Sequence, residues 1–448
     1  MTFKYEPLDH TKESIRLLRI LPDLSDTGLI ECQIWHDTVD ATYDCLSYVW
    51  GSEQNTQDIL VNGKTLSIRK NLWDFLGTAR TKYATPPRTF WIDALCINQD
   101  SIPEKNHQVA QMGSIYSKAV EVVAWLGFSL AIQRTLTFWS ELGALNPQTK
   151  SEAWKLWNMR NEQLDGQLGL DWDELANTQY WSRAWITQEI LLARKFNILV
   201  NDFEFEPARF SAFGLLLPGI HKNGNEFASG LLNGSSWNSN TRVFNTYLEV
   251  MCGKRMNLKN SLVDLFHQLP RKGSRFPRDR IYSLRSVALN AATIPVDYAS
   301  SDNDVLIHLL HVFRNSICLC LWSYMANILE LDISPGLGDD FGQKLPVFKV
   351  AMRPHYRWDK SAELDSWILG EVECEEYKVN VNHLCNCIGY AELILYRYET
   401  DKGDKYTIKR DFDTLELDVI RVEIEGPFEI SNIRPNGAIS YGGMSMLF

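Results

Sequence analysis

The sequence predicts an α/β fold, a parallel sheet flanked by helices, on three observations. Short apolar runs around Tyr43–Tyr48, Phe90–Ile97, Val120–Leu126 and Phe196–Val200 read as strands. Segments with helical periodicity separate them, and each run ends on turn-forming or polar residues. Alternation of this kind implies right-handed crossovers, and ligands of such sheets bind beyond the carboxyl ends of the strands. Those ends fall at Ser47–Gly51, Asn98–Asp100 and Gly127.

Taken in order, Tyr43–Tyr48 followed by Trp50-Gly51 reads as a buried strand and a turn. Ile59–Val61 and Thr65–Ile68 flank Asn62-Gly63, a strong hairpin signal, and the hairpin reads as an insertion. Asn71 then opens a helix carrying Leu72, Phe75 and Leu76. Phe90 through Ile97 reads as one continuous buried strand, closed by Asn98-Gln99-Asp100. Ser101 and Glu104 form a capping box, with Pro103 in the first turn, for a helix whose Val109, Met112, Ile115, Tyr116 and Ala119 share a face. A helical, Trp-rich insertion occupies 128–178, and Asn177 or Thr178 caps a helix from about Tyr180 to Ala193. Residues 1–205 are expected to form one domain, 206–340 a mainly helical region with a Gly/Asn/Ser-rich loop at 224–240, and 341–448 a β-rich region with alternating stretches such as Leu393–Tyr398.

Bulk properties narrow the function. With 448 residues, 45% hydrophobic and 23% charged, the chain is long enough for two domains and folds as a globular protein. A formal net charge of -11 argues against a nucleic-acid partner. A charged amino-terminal stretch, and a stretch at 317–331 too short and too polar to span a bilayer, predict no membrane association and a cytoplasmic location. The nine cysteines are odd in number and scattered in apolar segments, which suits reduced core thiols, and no set has zinc-like spacing, so no metal is expected. Nucleophile-elbow, metalloprotease and phosphate-loop motifs are absent from the sequence, and Gly336-x-Gly338-x-x-x-Gly342 misses the dinucleotide fingerprint by one residue.

Three blocks resemble the fungal heterokaryon-incompatibility (HET) domain. They are Cys45-Leu46-Ser47-Tyr48-Val49-Trp50-Gly51, Phe90–Gln99 running on through Gln108, Met112 and Ile115–Ala119, and Trp181-Ser182-Arg183-Ala184-Trp185-Ile186-Thr187-Gln188-Glu189. The resemblance covers about residues 40–202, with Pro277–Leu284 and Pro295–Tyr298 similar to a segment that often follows. HET domains are distantly similar to TIR domains. Tyr43–Tyr48 is like the first TIR strand, and Ser182-x-x-Trp185-x-x-x-Glu189 is close to the TIR helix motif, with Ser182 one residue further from the Trp. The resemblance implies a TIR-like, flavodoxin-like strand order and a role in programmed cell death or non-self recognition. It also implies self-association and cleavage of NAD into nicotinamide and ADP-ribose, with NAD as substrate and no cofactor required.

On that reading Glu189 is the catalytic residue. Trp185 stands one helical turn from it and presents an aromatic face. Departure of neutral nicotinamide leaves an oxocarbenium-like ribosyl centre that one fixed carboxylate stabilises. Ser47, Tyr48, Trp50 and Gly51 would bracket the nucleotide, and Asp93 and Asn98, with Gln99, border the same cleft. Two other functions stay open: a non-catalytic module of the same fold that recognises a partner protein, and a metabolic enzyme that reuses the cleft for another small molecule. A structural acceptor for Arg183 or Arg194 is an equal alternative for Glu189, as core packing is for the tryptophans.

Overall fold

The computed structural model describes residues 1–209, seven positions between Phe244 and Leu265, 273–289, 291–313, three positions between Met325 and Leu329, and the backbone of strands between 348 and 446. Close contacts divide the chain into two compact units, Met1–Ala292 and Thr293–Phe448.

The first unit is a mixed α/β structure on a nine-stranded sheet. Its centre is parallel: β3 (Asp44–Tyr48) lies between β6 (Thr89–Trp91) and β7 (Val122–Trp125), and β7 pairs in turn with β8 (Phe196–Val200). All of β3, β7 and β8 is buried, which is why these strands read as unbroken apolar runs. Numbered by their order in the chain, the four parallel strands stand 2-1-3-4, so the direction of winding reverses between β3 and β7.

The sheet extends antiparallel on both sides. β9 (Phe203–Phe205) closes one edge against β8. On the other side β1 (Ser14–Leu24) pairs with β6 and with β2 (Ile30–Thr38). The Asn62-Gly63 hairpin, β4 (Thr56–Val61) and β5 (Lys64–Arg69), joins the same sheet because β4 pairs in parallel with β2. The sheet is therefore only partly parallel, and the hairpin is an edge of it rather than an insertion. Asn62 and Gly63 take φ of 50° and 72°, as a tight two-residue hairpin loop requires.

Two predicted elements are shorter than expected. The run after β6 turns at Ile92: Leu95 and Cys96 both donate backbone bonds to the Ile92 carbonyl, and α2 (Asp93–Cys96) replaces the rest of the strand. An unbroken apolar run cannot distinguish a buried strand from a buried helical turn, so periodicity gave the wrong element here. The helix predicted from Tyr180 to Ala193 is broken into a 3-10 turn (Gln179–Ser182), an extended Arg183, and α7 (Ile186–Leu191). Arg183 is held extended by backbone bonds to Gly273 from both flanking residues, Gly273 N–H to Ser182 and Ala184 N–H to Gly273.

Helix α1 (Lys70–Lys82) follows the hairpin, and α3 (Ile102–Lys118) buries Val109, Met112, Ile115 and Tyr116 as its periodicity predicts. Ser101 caps α3 by accepting the Glu104 N–H at 3.4 Å. Between β7 and the 3-10 turn, α4 (Leu130–Leu145), α5 (Lys150–Gln163) and α6 (Gln167–Ala176) make the helical insertion, capped at Ser129 and Thr149. Trp139, Trp157 and Trp172 meet edge to face in it. Cys32, Cys45 and Cys96 are buried free thiols.

In the second unit, helix Asp302–Phe313 precedes an eight-stranded sheet. Its strands Phe348–Pro354, Ser366–Cys374, Ala391–Thr400, Gly403–Arg410 and Asp413–Asp418 pair antiparallel in succession. The loop predicted at 224–240 and the glycine run at 336–342 lie outside the described residues. No helix among the described residues is long and apolar enough to cross a membrane.

Candidate functional site

The chain leaves β3 at Tyr48 and turns away over Val49-Trp50-Gly51. Gly51 takes a φ of 78°, in the left-handed region where a side chain is disfavoured. Asn71, at the start of α1, fixes this turn: its Nδ2 donates to the Val49 carbonyl at 2.5 Å, and its Oδ1 accepts from Trp125 Nε1 at 3.1 Å. Arg69 donates to the Gly51 carbonyl at 2.8 Å and lies 5.0 Å from the Trp50 ring centre. One face of the indole that the sequence offered for stacking is thus covered by a guanidinium. The Trp50 edge points inward, where Nε1 donates to Asp93 Oδ2 at 2.9 Å.

Asp93 owes its position to the early end of β6. Its Oδ1 accepts the Ala94 N–H at 2.7 Å, and its carbonyl accepts from Gln99 Nε2 at 3.1 Å. Asn98 serves the loop instead, accepting the Asp100 N–H at 3.3 Å while its own N–H donates to Glu104 at 2.6 Å.

Glu189 is 1% exposed. Arg183 Nη1 donates to its Oε2 at 3.2 Å and Nη2 to its Oε1 at 3.3 Å, a bidentate pair, and Ser47 Oγ donates to Oε2. Because a hydroxyl has one proton, the 2.6 Å contact between Ser47 Oγ and the Tyr180 hydroxyl makes Tyr180 the donor there. A relay runs from Tyr180 through Ser47 to Glu189. Trp185 is half-buried and stands just before α7, where its carbonyl accepts the Glu189 N–H at 3.4 Å. The turn between the two residues is present, but the polar partners of Glu189 are Arg183 and Ser47.

The electrostatics follow from this packing. Withdrawal from water pushes the Asp93 carboxyl up to about 6; Arg183 opposes the rise, Glu189 adds to it, and the bonds from Trp50 and Ala94 oppose it. Burial works against the charge of Arg183, which Glu189, Tyr180 and Asp93 more than restore, so its pKa is raised. The phenols of Tyr48 and Tyr180 are pushed well above their ordinary range, chiefly by burial. Two carboxylates, one guanidinium and three neutral hydroxyls, those of Ser47, Tyr48 and Tyr180, therefore gather at the carboxyl end of β3, beside the point where the winding reverses. Such a set can hold sugar hydroxyls and stabilise a developing positive charge.

The structure thus brings Ser47, Tyr48, Trp50, Asp93 and Glu189 together, and sets Gly51, Asn98 and Trp185 around them. Sequence reasoning missed Asn71, Arg69 and Tyr180, and named Arg183 only as a structural partner of Glu189. Nothing in their local pattern marks them, since each reaches its partner through the tertiary fold. Among the described residues, no group of His, Cys, Asp and Glu side chains is arranged to hold a metal ion.

Comparison with known proteins agrees with the stretch that builds this site. Residues 43–189 match the family described as Heterokaryon incompatibility protein (HET). Over 140 residues the chain is 35% identical to Heterokaryon incompatibility protein 6, OR allele, of Neurospora crassa, an alignment covering 28% of this chain and 21% of that relative. The chain therefore matches about a fifth of the relative's length. No solved structure matches.

Proposed function

We infer, from the HET domain that residues 43–189 form, that this chain acts in heterokaryon incompatibility, as an effector of programmed cell death or non-self recognition. We further propose that its HET domain hydrolyses NAD to nicotinamide and ADP-ribose. A single observation carries the proposal: Glu189, Ser47 and Asp93 converge at the carboxyl end of β3, next to the reversal of winding where open α/β sheets take nucleotides. The 2-1-3-4 order of the parallel strands is that of flavodoxin-like sheets, which supports the TIR-like reading of the fold.

Chemically, loss of nicotinamide needs no acid, because the pyridinium leaves as a neutral base. It needs negative charge near the ribosyl carbon, which Glu189 and Asp93 supply, and acceptors for the ribose hydroxyls, which Asp93 supplies. Ser47 and Tyr48 add hydroxyls, and Gly51 lets the backbone approach closely. NAD is a substrate here rather than a cofactor, and the proposed context is a cytoplasmic protein that works through self-association.

A second reading rests on a different observation. The bidentate hold of Arg183 on a fully buried Glu189 is also what a binding module with no reaction of its own needs, since a buried carboxylate without its partner would be strongly destabilising. Nicotinamide release from NAD by the purified chain separates the two. Hydrolysis predicts release that falls about a hundredfold in Glu189→Gln. No release by wild-type protein at high concentration would favour the module.

A further inference from the structure

Two carboxylates meet at this site, and they differ in what can reach them. Both oxygens of Glu189 are engaged, by Arg183 and Ser47, and its side chain is 1% exposed, so a ligand meets it only after Arg183 moves. Asp93 is half-buried. Its oxygens accept one N–H each, from Trp50 and Ala94, and each keeps a lone pair for a further donor. It sits on the short turn of α2, directly beyond the end of β6, where the neighbouring strand β3 delivers Ser47 and the Trp50 loop.

We propose that Asp93 is the catalytic carboxylate of this site, touching the ribose and the attacking water, and that Glu189 and Arg183 act through it as positioning residues. The proposal rests on the NAD-hydrolysis reading and changes which side chain performs the reaction. The C1′–N bond breaks with its electron pair leaving on the pyridine nitrogen as neutral nicotinamide. Water adds its oxygen to C1′, and its proton passes to the Asp93 carboxylate and then to solvent. NAD and water give ADP-ribose, nicotinamide and a proton.

The surroundings suit Asp93 to this role. The charged and titratable groups that face it are Arg183 from the segment leading into α7, Glu189 on α7, Tyr48 and Cys45 on β3, Tyr116 on α3, and Cys96 on its own turn. Burial pushes the Cys96 thiol up to about 12 and holds Cys45, Tyr48 and Tyr116 well above their usual ranges, so these four stay neutral through the acid and neutral range. An aspartate that ionises near 6 is matched to accepting a proton at neutral pH.

The test is the rate of nicotinamide release from NAD between about pH 4.5 and 8, for the full chain and three variants. Wild-type activity should climb through the region near 6 as Asp93 ionises. Asp93→Asn should lose about a hundredfold or more and the acid limb with it, while Asp93→Glu, which keeps the charge, should recover part of both. Glu189→Gln removes a charge that raises Asp93, so its residual activity should keep the limb, displaced to lower pH. Wild-type rate and limb in Asp93→Asn, or a limb lost in Glu189→Gln and kept in Asp93→Asn, would overturn the proposal and leave NAD hydrolysis standing. Without wild-type turnover the hydrolysis reading falls, and ADP-ribose binding decides the role of Asp93. Binding lost in Asp93→Asn and kept in Glu189→Gln leaves Asp93 as the group that touches the ligand; equal binding in both removes it.

Discussion

Arg16 and Glu104 grip each other through two bonds, at 2.5 and 2.9 Å, with 2% and 4% of their side chains exposed. A buried pair of this kind contributes little over apolar packing, but breaking it strands a charge, at about 3–5 kcal/mol. Glu104→Gln should therefore lower the unfolding free energy by about that amount in urea titrations. The sequence shows Ser101 and Glu104 as a capping box, and the hydroxyl half is present. The carboxylate goes instead to Arg16 and to the Asn98 N–H, because its strongest partner is 88 residues away, where no local pattern can announce it. Trp50→Phe removes a bond that lowers the Asp93 pKa, and carboxyl-carbon NMR should find that group titrating above its wild-type value of about 6. Asp44 is likewise raised to about 6 by burial and Glu121, against Arg88. Both aspartates hold a proton more tightly folded than unfolded, so between their ordinary range near 3.8 and about 6 they make stability fall as pH rises.

At the scale of elements, the apolar periodicity located every strand of the parallel core, since strands buried on both faces leave an unmistakable run. It did not reveal where β6 gives way to α2, nor the break at Arg183. Both depend on hydrogen bonds made after folding, to Ile92 and to Gly273. The amino-terminal strands went unread, although β1 and β2 supply the surface on which β6 and β4 pair. Helix α3 packs closely against the segment after Tyr282. A Cβ at Gly113 would stand 2.3 Å from Ser286 Oγ and 2.4 Å from its Cβ. Gly113→Ala should cost about 1–3 kcal/mol in thermal or urea unfolding, and Ser286→Gly in the same chain should restore most of it.

For the whole molecule, the matched stretch 43–189 is not a self-sufficient body. It lacks β1, which carries Arg16, and it lacks β8, which borders β7. It also lacks Gly273, whose backbone holds Arg183 in place to face Glu189. A fragment of residues 43–189 should show no cooperative unfolding transition, whereas residues 1–292, the first compact unit, should unfold in one. In the proposed function three separate stretches, Ser47–Gly51, Phe90–Gln99 and Trp181–Glu189, form a single site for NAD. Amide hydrogen exchange with and without saturating NAD reads all three at once. NAD binding at this site should slow exchange in these stretches together, centred on the Trp50 loop and the Asp93 turn. Exchange unchanged in all three, or slowed only elsewhere in the chain, would contradict it.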